Sequence, residues 1–284
     1  MDVHVHVYTG QRRHSEERAL AAAERYFGVD SAVRSISELA QYYRQLRLKA
    51  VIFDVDQETR TGLAISNREV AEAVRMYPDV FIGFGSVDPW KGRAAVHEVE
   101  ECAALGLKGM KFHPSAQAFY PNDPRFYPLW EACQRLGLPV VFHTGMTGVG
   151  AGTPGGEGIY LKYSRPIPYL DDVAADFPQL KIIAAHPSWP WQDEMLAVCR
   201  HKANVFIDLS GWAPKYFPPQ LVHFANTLLQ DKVLFGSDYP LIDPTRWLQE
   251  FAQLPFADHV RPKILYANAA RLLGLPIEDF TFTL

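Results

Sequence analysis

Short apolar runs rich in Val, Ile and Phe recur along this chain, and longer segments with helical spacing separate them. Such alternation predicts βα units and a parallel sheet. Eight runs stand in order: Asp2 to Val7, Ala50 to Val55, Val80 to Val87, Gly109 to His113, Val140 to His143, Lys181 to His186, Val205 to Leu209 and Val233 to Ser237. Between them, Ser35 with Glu38 and Ser66 with Glu69 have capping-box spacing, in which the Ser oxygen and the Glu carboxylate satisfy amides that a helix start leaves unpaired. Pro78, Gly106, Gly137 and Gly274 stand where helices are expected to stop. Eight βα units without a break in composition predict an α/β fold, one closed (β/α)₈ TIM barrel in a single domain over residues 1–284. A doubly wound sheet is the alternative, but its Gly-x-Gly-x-x-Gly fingerprint is missing after Val7. The longest link, about residues 8–49, carries two helical segments where a simple unit needs one, and is expected to be a helical cap insertion over the barrel mouth.

Composition changes this picture little. The 284 residues are 48% hydrophobic and 21% charged, which supplies a large core. A net charge of −4 offers no basic field, so neither nucleic acid nor a membrane is an expected partner, and a small-molecule substrate is. Cys102, Cys133 and Cys199 are odd in number and far apart, each in a helical stretch, and read as small core residues of a reducing compartment. Residues 1–7 lack the basic start and apolar run of a secretory signal, and no stretch reaches the roughly 20 apolar residues needed to span a bilayer. A cytoplasmic location is the expectation.

In a barrel, catalytic groups sit at the C-terminal ends of the strands. Here those positions are histidine and aspartate: His4 and His6 on the first run, His113 on the fourth, His143 on the fifth, His186 on the sixth, Asp208 on the seventh and Asp238 after the eighth. A lone strand-end histidine is more often a hydrogen-bonded core residue than a ligand. His4 and His6 reverse that preference, because residues two apart on a strand point the same way, about 6.6 Å apart along the backbone, where two neutral imidazoles can converge on one cation. Asp2 shares their parity and lies deeper, placed to orient a ligand ring as an acceptor. Taken alone, Asp238 could be a carboxylate that caps a turn.

Five segments, Asp2-Val-His-Val-His6, Gly109-Met-Lys-Phe-His-Pro114, Val141-Phe-His-Thr-Gly145, Ala185-His-Pro187 and Phe235-Gly-Ser-Asp-Tyr-Pro240, occur in an order that resembles the amidohydrolase superfamily. The likeness is to the branch holding aminocarboxymuconate-semialdehyde and resorcylate decarboxylases and pyrone-dicarboxylate lactonase. This resemblance implies that His4, His6 and His143 bind a metal, that Asp238 is a further ligand or a proton-transfer group, and that His186 is the catalytic acid or base. It implies one divalent ion, Zn²⁺ first, with Mn²⁺ or another ion as alternative. Binuclear relatives place a carbamylated lysine at the end of the fourth strand. Here that strand runs on to His113 and Pro114, so Lys111 is expected to be a buried lysine paired with a carboxylate.

The reaction expected is hydrolysis of a small carbonyl-containing acid, such as a lactone, a β-keto acid derivative or its thioester, by water that the ion activates. The alternative is non-oxidative decarboxylation of an aromatic or muconate-type carboxylic acid by the same residues. A metabolite-binding barrel without turnover is the third reading. His113, Arg165 and Trp189 are the candidate substrate-binding residues, Arg165 through the planar fork that suits a carboxylate. The run from Gly145 to Gly158 holds seven glycines but no Gly-Lys-Ser/Thr ending, so it reads as a mobile lid and not a phosphate loop. Loops rich in tryptophan and proline would suit a homodimer.

Overall fold

Each apolar run becomes a strand, trimmed where its closing polar residues turn away from the ladder. The computed structural model of the chain describes residues 1–11 and 34–276, so His14 and the first helix expected in the cap lie outside the described residues. The strands are β1 (Asp2–His6), β2 (Ala50–Phe53), β3 (Phe81–Gly83, resuming as Gly85–Ser86), β4 (Met110–Phe112), β5 (Val140–His143), β6 (Ile182–Ala185), β7 (Val205–Asp208) and β8 (Val233–Leu234). Every neighbouring pair is parallel and follows chain order.

The interruption in β3 has a packing cause. A Cβ on Gly83 would lie 2.5 Å from Leu107 Cδ2 and 2.9 Å from Val74 Cγ2, and one on Gly85 would lie 2.5 Å from Cys102 Sγ, so side chains from the segments on either side of the strand pack directly on its backbone. Across the break, the Phe84 amide donates to Ile52 O at 2.9 Å and the Gly85 amide to Gly109 O at 2.9 Å. The last strand returns to the first: Val3 N donates to Phe235 O (3.0 Å), Asp238 N to His4 O (2.9 Å) and His6 N to Tyr239 O (2.8 Å). These bonds close the sheet, and the molecule is a (β/α)₈ TIM barrel.

Alternation along the strands divides the apolar residues into two bodies. Val140, Phe142, Ile182, Ala184, Val233 and Phe235 pack outward against the helices, on Trp130, Val173, Leu196 and Trp247. The intervening Val51, Phe53, Val141, Ile183 and Leu234 form a second cluster that fills the lumen. Met1, Tyr266, Ala269 and Leu272 join that cluster at the end where the strands begin, and the Met1 amino group donates to Leu265 O there. Full burial of one such aliphatic or aromatic side chain contributes about 1.5–3 kcal/mol, so these two bodies dominate the stability.

The helix punctuation follows the expected chemistry. Ser35 and Glu38 form a reciprocal capping box before α1 (Ile36–Gln45). Ser66 caps α2 (Asn67–Met76) through the Glu69 amide, whereas the Glu69 carboxylate accepts from Gly10 N at 3.3 Å and ties the loop after β1 to this helix. Gly137 and Gly274 end their helices at φ +67, a conformation that glycine adopts without a Cβ penalty. The three cysteines are buried free thiols. Among the described residues no helix is long and apolar enough to cross a membrane.

Candidate metal centre

The pairing register of β1 shifts between Asp2 and Val5. Beyond that shift His4 and His6 share one face, ring centres 5.2 Å apart, and both rings stand edge-on to Phe53 at 5.0 and 5.1 Å. Phe53 belongs to the lumen cluster, so the apolar filling is the floor on which the two imidazoles rest. Asp238 arrives from the turn after β8 with φ +72. Its Oδ1 lies 3.3 Å from His4 Nε2 and 3.2 Å from His6 Nε2, and the ligand atoms of these three residues all lie within 4.8 Å of one another. A Cβ on Gly236 would come within 3.0 Å of His4 Cβ, so the close approach of β8 to β1 requires glycine there.

The acceptor that orients His4 is Asp208, not Asp2. His4 Nδ1 lies 3.0 Å from Asp208 Oδ2. Asp2 instead accepts from Tyr43 Oη (2.8 Å), Ser237 Oγ (2.6 Å) and Ser237 N (2.9 Å), fastening β1 to α1 and to the turn that carries Asp238. Burial pushes the Asp2 carboxyl up to about 6, although these donors pull the other way. The Asp208 and Asp238 carboxyls move in the opposite direction. Burial works against their charge, but the surrounding imidazoles of His4 and His186, joined at Asp238 by His6, outweigh it and hold both well below the usual carboxylate range.

Lys111 departs from expectation. It is completely buried, and its Nζ lies 3.1 Å from His4 Nε2 and 5.0 Å from the centre of the Phe53 ring. Among the described residues no carboxylate lies within ion-pair distance of it, so it faces the histidine where a carboxylate partner was expected. Burial brings this ammonium down to about 8, against the pull of Asp208 and Asp238.

His143 and His186 meet on the far side of His4. His186 Nε2 is 2.9 Å from His143 Nδ1, and the His4 and His186 ring centres are 4.9 Å apart. His186 Nδ1 faces Ser210 Oγ at 2.9 Å, so both of its ring nitrogens are engaged by protein groups. His113 stacks on His143 with centres 3.8 Å apart and planes 9° apart. Its Nδ1 accepts from Ala116 N (3.2 Å) and its Nε2 contacts Thr147 Oγ1 (3.1 Å), which pins the glycine-rich loop to β4. Burial drives His113 and His143 well below the ordinary imidazole value. Two candidates stand apart. The Nε and Nη2 edge of the Arg165 fork is occupied by Glu194, at 3.0 and 2.6 Å. Trp189 is 46% exposed on the loop after β6, its ring centre 6.1 Å from that of Trp212.

These residues fit a metal ion. Burial, reinforced by Lys111, holds His4 down to about 3, so the ring is neutral at ordinary pH, its Nε2 lone pair facing Lys111 Nζ in this structure. Two imidazole nitrogens and an ionised carboxylate oxygen converging within hydrogen-bond range are a donor set that suits zinc or manganese. His143 Nε2 is buried without a hydrogen-bond partner among the described residues, and a buried ring nitrogen is normally satisfied or bound to an ion. His143 does not belong to the group formed by His4, His6 and Asp238. Sequence reasoning passed over Ser210 and assigned no task to Asp208. Their spacing of two at the end of β7 repeats the spacing of His4 and His6, and that repeat was the available signal.

A family model described as amidohydrolase matches residues 1–275. The 2-amino-3-carboxymuconate-6-semialdehyde decarboxylase of Dictyostelium discoideum is 24% identical over 242 residues, which cover 74% of this chain; the chain spans 65% of that relative's length. An uncharacterised TIM-barrel protein from Bordetella bronchiseptica superposes with a TM-score of 0.81 at 24% identity, covering 96% of this chain and 97% of that one. 5-Carboxyvanillate decarboxylase from Sphingomonas paucimobilis gives 0.67 at 20% identity over 97% and 98% of the chains. A dihydroxybenzoic acid decarboxylase from a Polaromonas species, with bound manganese and the inhibitor 2-nitroresorcinol, gives 0.65 at 18% identity over 96% of each. The barrel, its histidine-lined mouth and a family match over nearly its whole length establish that this chain belongs to the amidohydrolase family of enzymes.

Proposed function

We propose that this enzyme is a metal-dependent carboxy-lyase that removes carbon dioxide from a small, flat carboxylic acid of the hydroxybenzoate or muconate class. The observation that carries the metal requirement is the convergence of His4 Nε2, His6 Nε2 and Asp238 Oδ1 at 3.2–3.3 Å. The choice of decarboxylation is supported by the names of the muconate-semialdehyde, carboxyvanillate and dihydroxybenzoate decarboxylases to which the chain is similar, and by the manganese bound in the last of them.

His4, His6 and Asp238 would hold the divalent ion, and His143 Nε2 would be a further donor. Such an ion, when bound, polarises an oxygen of the substrate and offsets negative charge that develops as a bond breaks. Asp208, bonded to His4 Nδ1, would leave His4 Nε2 as the nitrogen available to such an ion. The Lys111 ammonium adds a second positive charge in the buried lumen, where it would interact strongly with an anionic acid. Of the carboxylates here, Asp238 lies nearest the open side, its side chain 11% exposed beside the 21% exposed His6. As the carbon–carbon bond breaks, its electron pair stays on the substrate carbon. Asp238 carries to that carbon a proton taken from a hydroxyl or carboxyl of the substrate. His186 is assigned to holding His143, since both of its nitrogens are occupied.

Hydrolysis of a lactone or thioester uses the same residues and separates from this reading in one experiment. Protein loaded with Mn²⁺ or Zn²⁺ is incubated with a panel of hydroxybenzoates, muconates, lactones and β-keto thioesters in ¹⁸O-labelled water. Release of carbon dioxide without label in the remaining acid is the expected result. Label in a product carboxylate, with no carbon dioxide, overturns it in favour of hydrolysis.

A further inference from the structure

We infer that Ser210 is a positioning residue whose single hydroxyl proton decides which nitrogen of His186 and of His143 carries hydrogen, and so keeps His143 Nε2 bare. This rests on the metal-dependent reading above for its purpose, though not for its geometry.

Ser210 Oγ has three side-chain neighbours: Asp208 Oδ1 in a short contact, His186 Nδ1 at 2.9 Å and His4 Nδ1 at 3.0 Å. A hydroxyl has one proton to donate and two lone pairs with which to accept. Asp208 Oδ1 already accepts from the amides of His186 (3.3 Å) and Ser210 (2.9 Å), so it is an acceptor toward Oγ as well. The hydroxyl proton therefore goes to Asp208, and both rings can only donate to Oγ. His186 then carries its hydrogen on Nδ1 and accepts at Nε2. The partner at Nε2 is His143 Nδ1, 2.9 Å away, which must be the donor. His143 Nε2 is left without hydrogen, and it is the buried ring atom that has no partner among the described residues.

His4 provides an independent check. The Lys111 ammonium, 3.1 Å from its Nε2, can only donate, so His4 also keeps its hydrogen on Nδ1, shared between Asp208 Oδ2 and Ser210 Oγ. The surroundings lock this arrangement. A Cβ on Gly211 would lie 2.5 Å from His186 Nδ1, and one on Gly236 would lie 2.9 Å from Ser210 Cβ. The backbone thus encloses the hydroxyl closely.

Without the hydroxyl, His186 Nδ1 loses its acceptor. The ring is then free to carry hydrogen on Nε2 and donate to His143 Nδ1, which transfers the His143 hydrogen to Nε2 and blocks that nitrogen as a ligand. His4 keeps Asp208 and is spared. This asymmetry is what a merely structural serine would not produce.

The test is two-bond ¹H–¹⁵N NMR of the metal-free protein with ¹⁵N-labelled histidine. In the unaltered protein His4, His143 and His186 should all show hydrogen on Nδ1. In Ser210→Ala, His143 and His186 should move to Nε2–H while His4 stays. Binding of Mn²⁺ and of Zn²⁺, titrated directly, should weaken about 10–100-fold, the usual cost of removing a partner that orients a ligand. Ser210→Thr, which keeps a hydroxyl, should restore the spectrum. Hydrogen on Nε2 of His143 or His186 in the unaltered protein overturns the inference without need of any variant. So do unchanged tautomers in a folded Ser210→Ala. If the tautomers are as assigned but the unaltered protein binds neither ion, the metal reading fails and the Ser210 assignment stands.

Discussion

The barrel lumen has two levels built from the same strands and opposite in chemistry. The lower level, Val51, Val141, Ile183 and Leu234 with Phe53 above them, is apolar and buried. The upper level puts His4, Lys111, His143, Asp208 and Asp238 into nearly equal burial. Removing apolar groups from water stabilises the fold, whereas removing ionisable groups costs free energy that hydrogen bonds and opposite charges only partly return. The upper level therefore lowers stability and, in the function proposed above, carries the chemistry; the lower level and the strand–helix shell offset that cost.

The largest expected effects fall on the upper level. His4→Ala and His6→Ala should each reduce bound metal to a small fraction of stoichiometric, read by elemental analysis, and Asp238→Asn should reduce turnover by about 10²–10⁴ while the protein remains folded. Full metal content in both histidine variants would remove the upper level's claim to function. Next comes Ile183→Ala in the lower level, which should cost about 2–5 kcal/mol of unfolding free energy by denaturant titration and leave metal stoichiometry unchanged. Loss of metal in that variant would dissolve the distinction between the levels. Lys111→Met should be neutral or stabilising by up to about 4 kcal/mol in the metal-free protein, because it removes a buried charge without a carboxylate partner, and should depress turnover.

A smaller effect is the pH dependence of the metal-free protein. His4 is held near 3 in the folded state and returns to 6.5 on unfolding, so between these values the unfolded chain binds more protons and stability falls as pH falls. His113 and His143 are lowered as well and act in the same sense. Asp2, raised from 3.8 to about 6, acts in the opposite sense over a narrower window. The melting temperature should therefore be lower at pH 4.5 than at pH 6.5. A flat profile would mean that the upper level titrates in the folded protein as it does in the unfolded chain.

Much of this organisation was legible along the chain, since it depends on neighbours. Alternation, caps and stop residues are local, and they marked all eight strands, the capping box at Ser35 and the N-cap at Ser66. The His4 and His6 pair was legible for the same reason: residues two apart on a strand must share a face. Tertiary structure decided the partners. Asp208 takes the place expected of Asp2 beside His4 because Asp2 is occupied by Tyr43 and Ser237, partners that periodicity alone does not show. Arg165 is bound by Glu194, 29 positions away, and Lys111 faces a histidine 107 positions away, pairings that exist only once the barrel has closed. Sequence by itself determined which side chains reach the mouth, because strand geometry is set by adjacent residues. Only the folded barrel decided which nitrogen carries a proton and which is left bare, because that depends on groups brought together from different strands within about 3 Å.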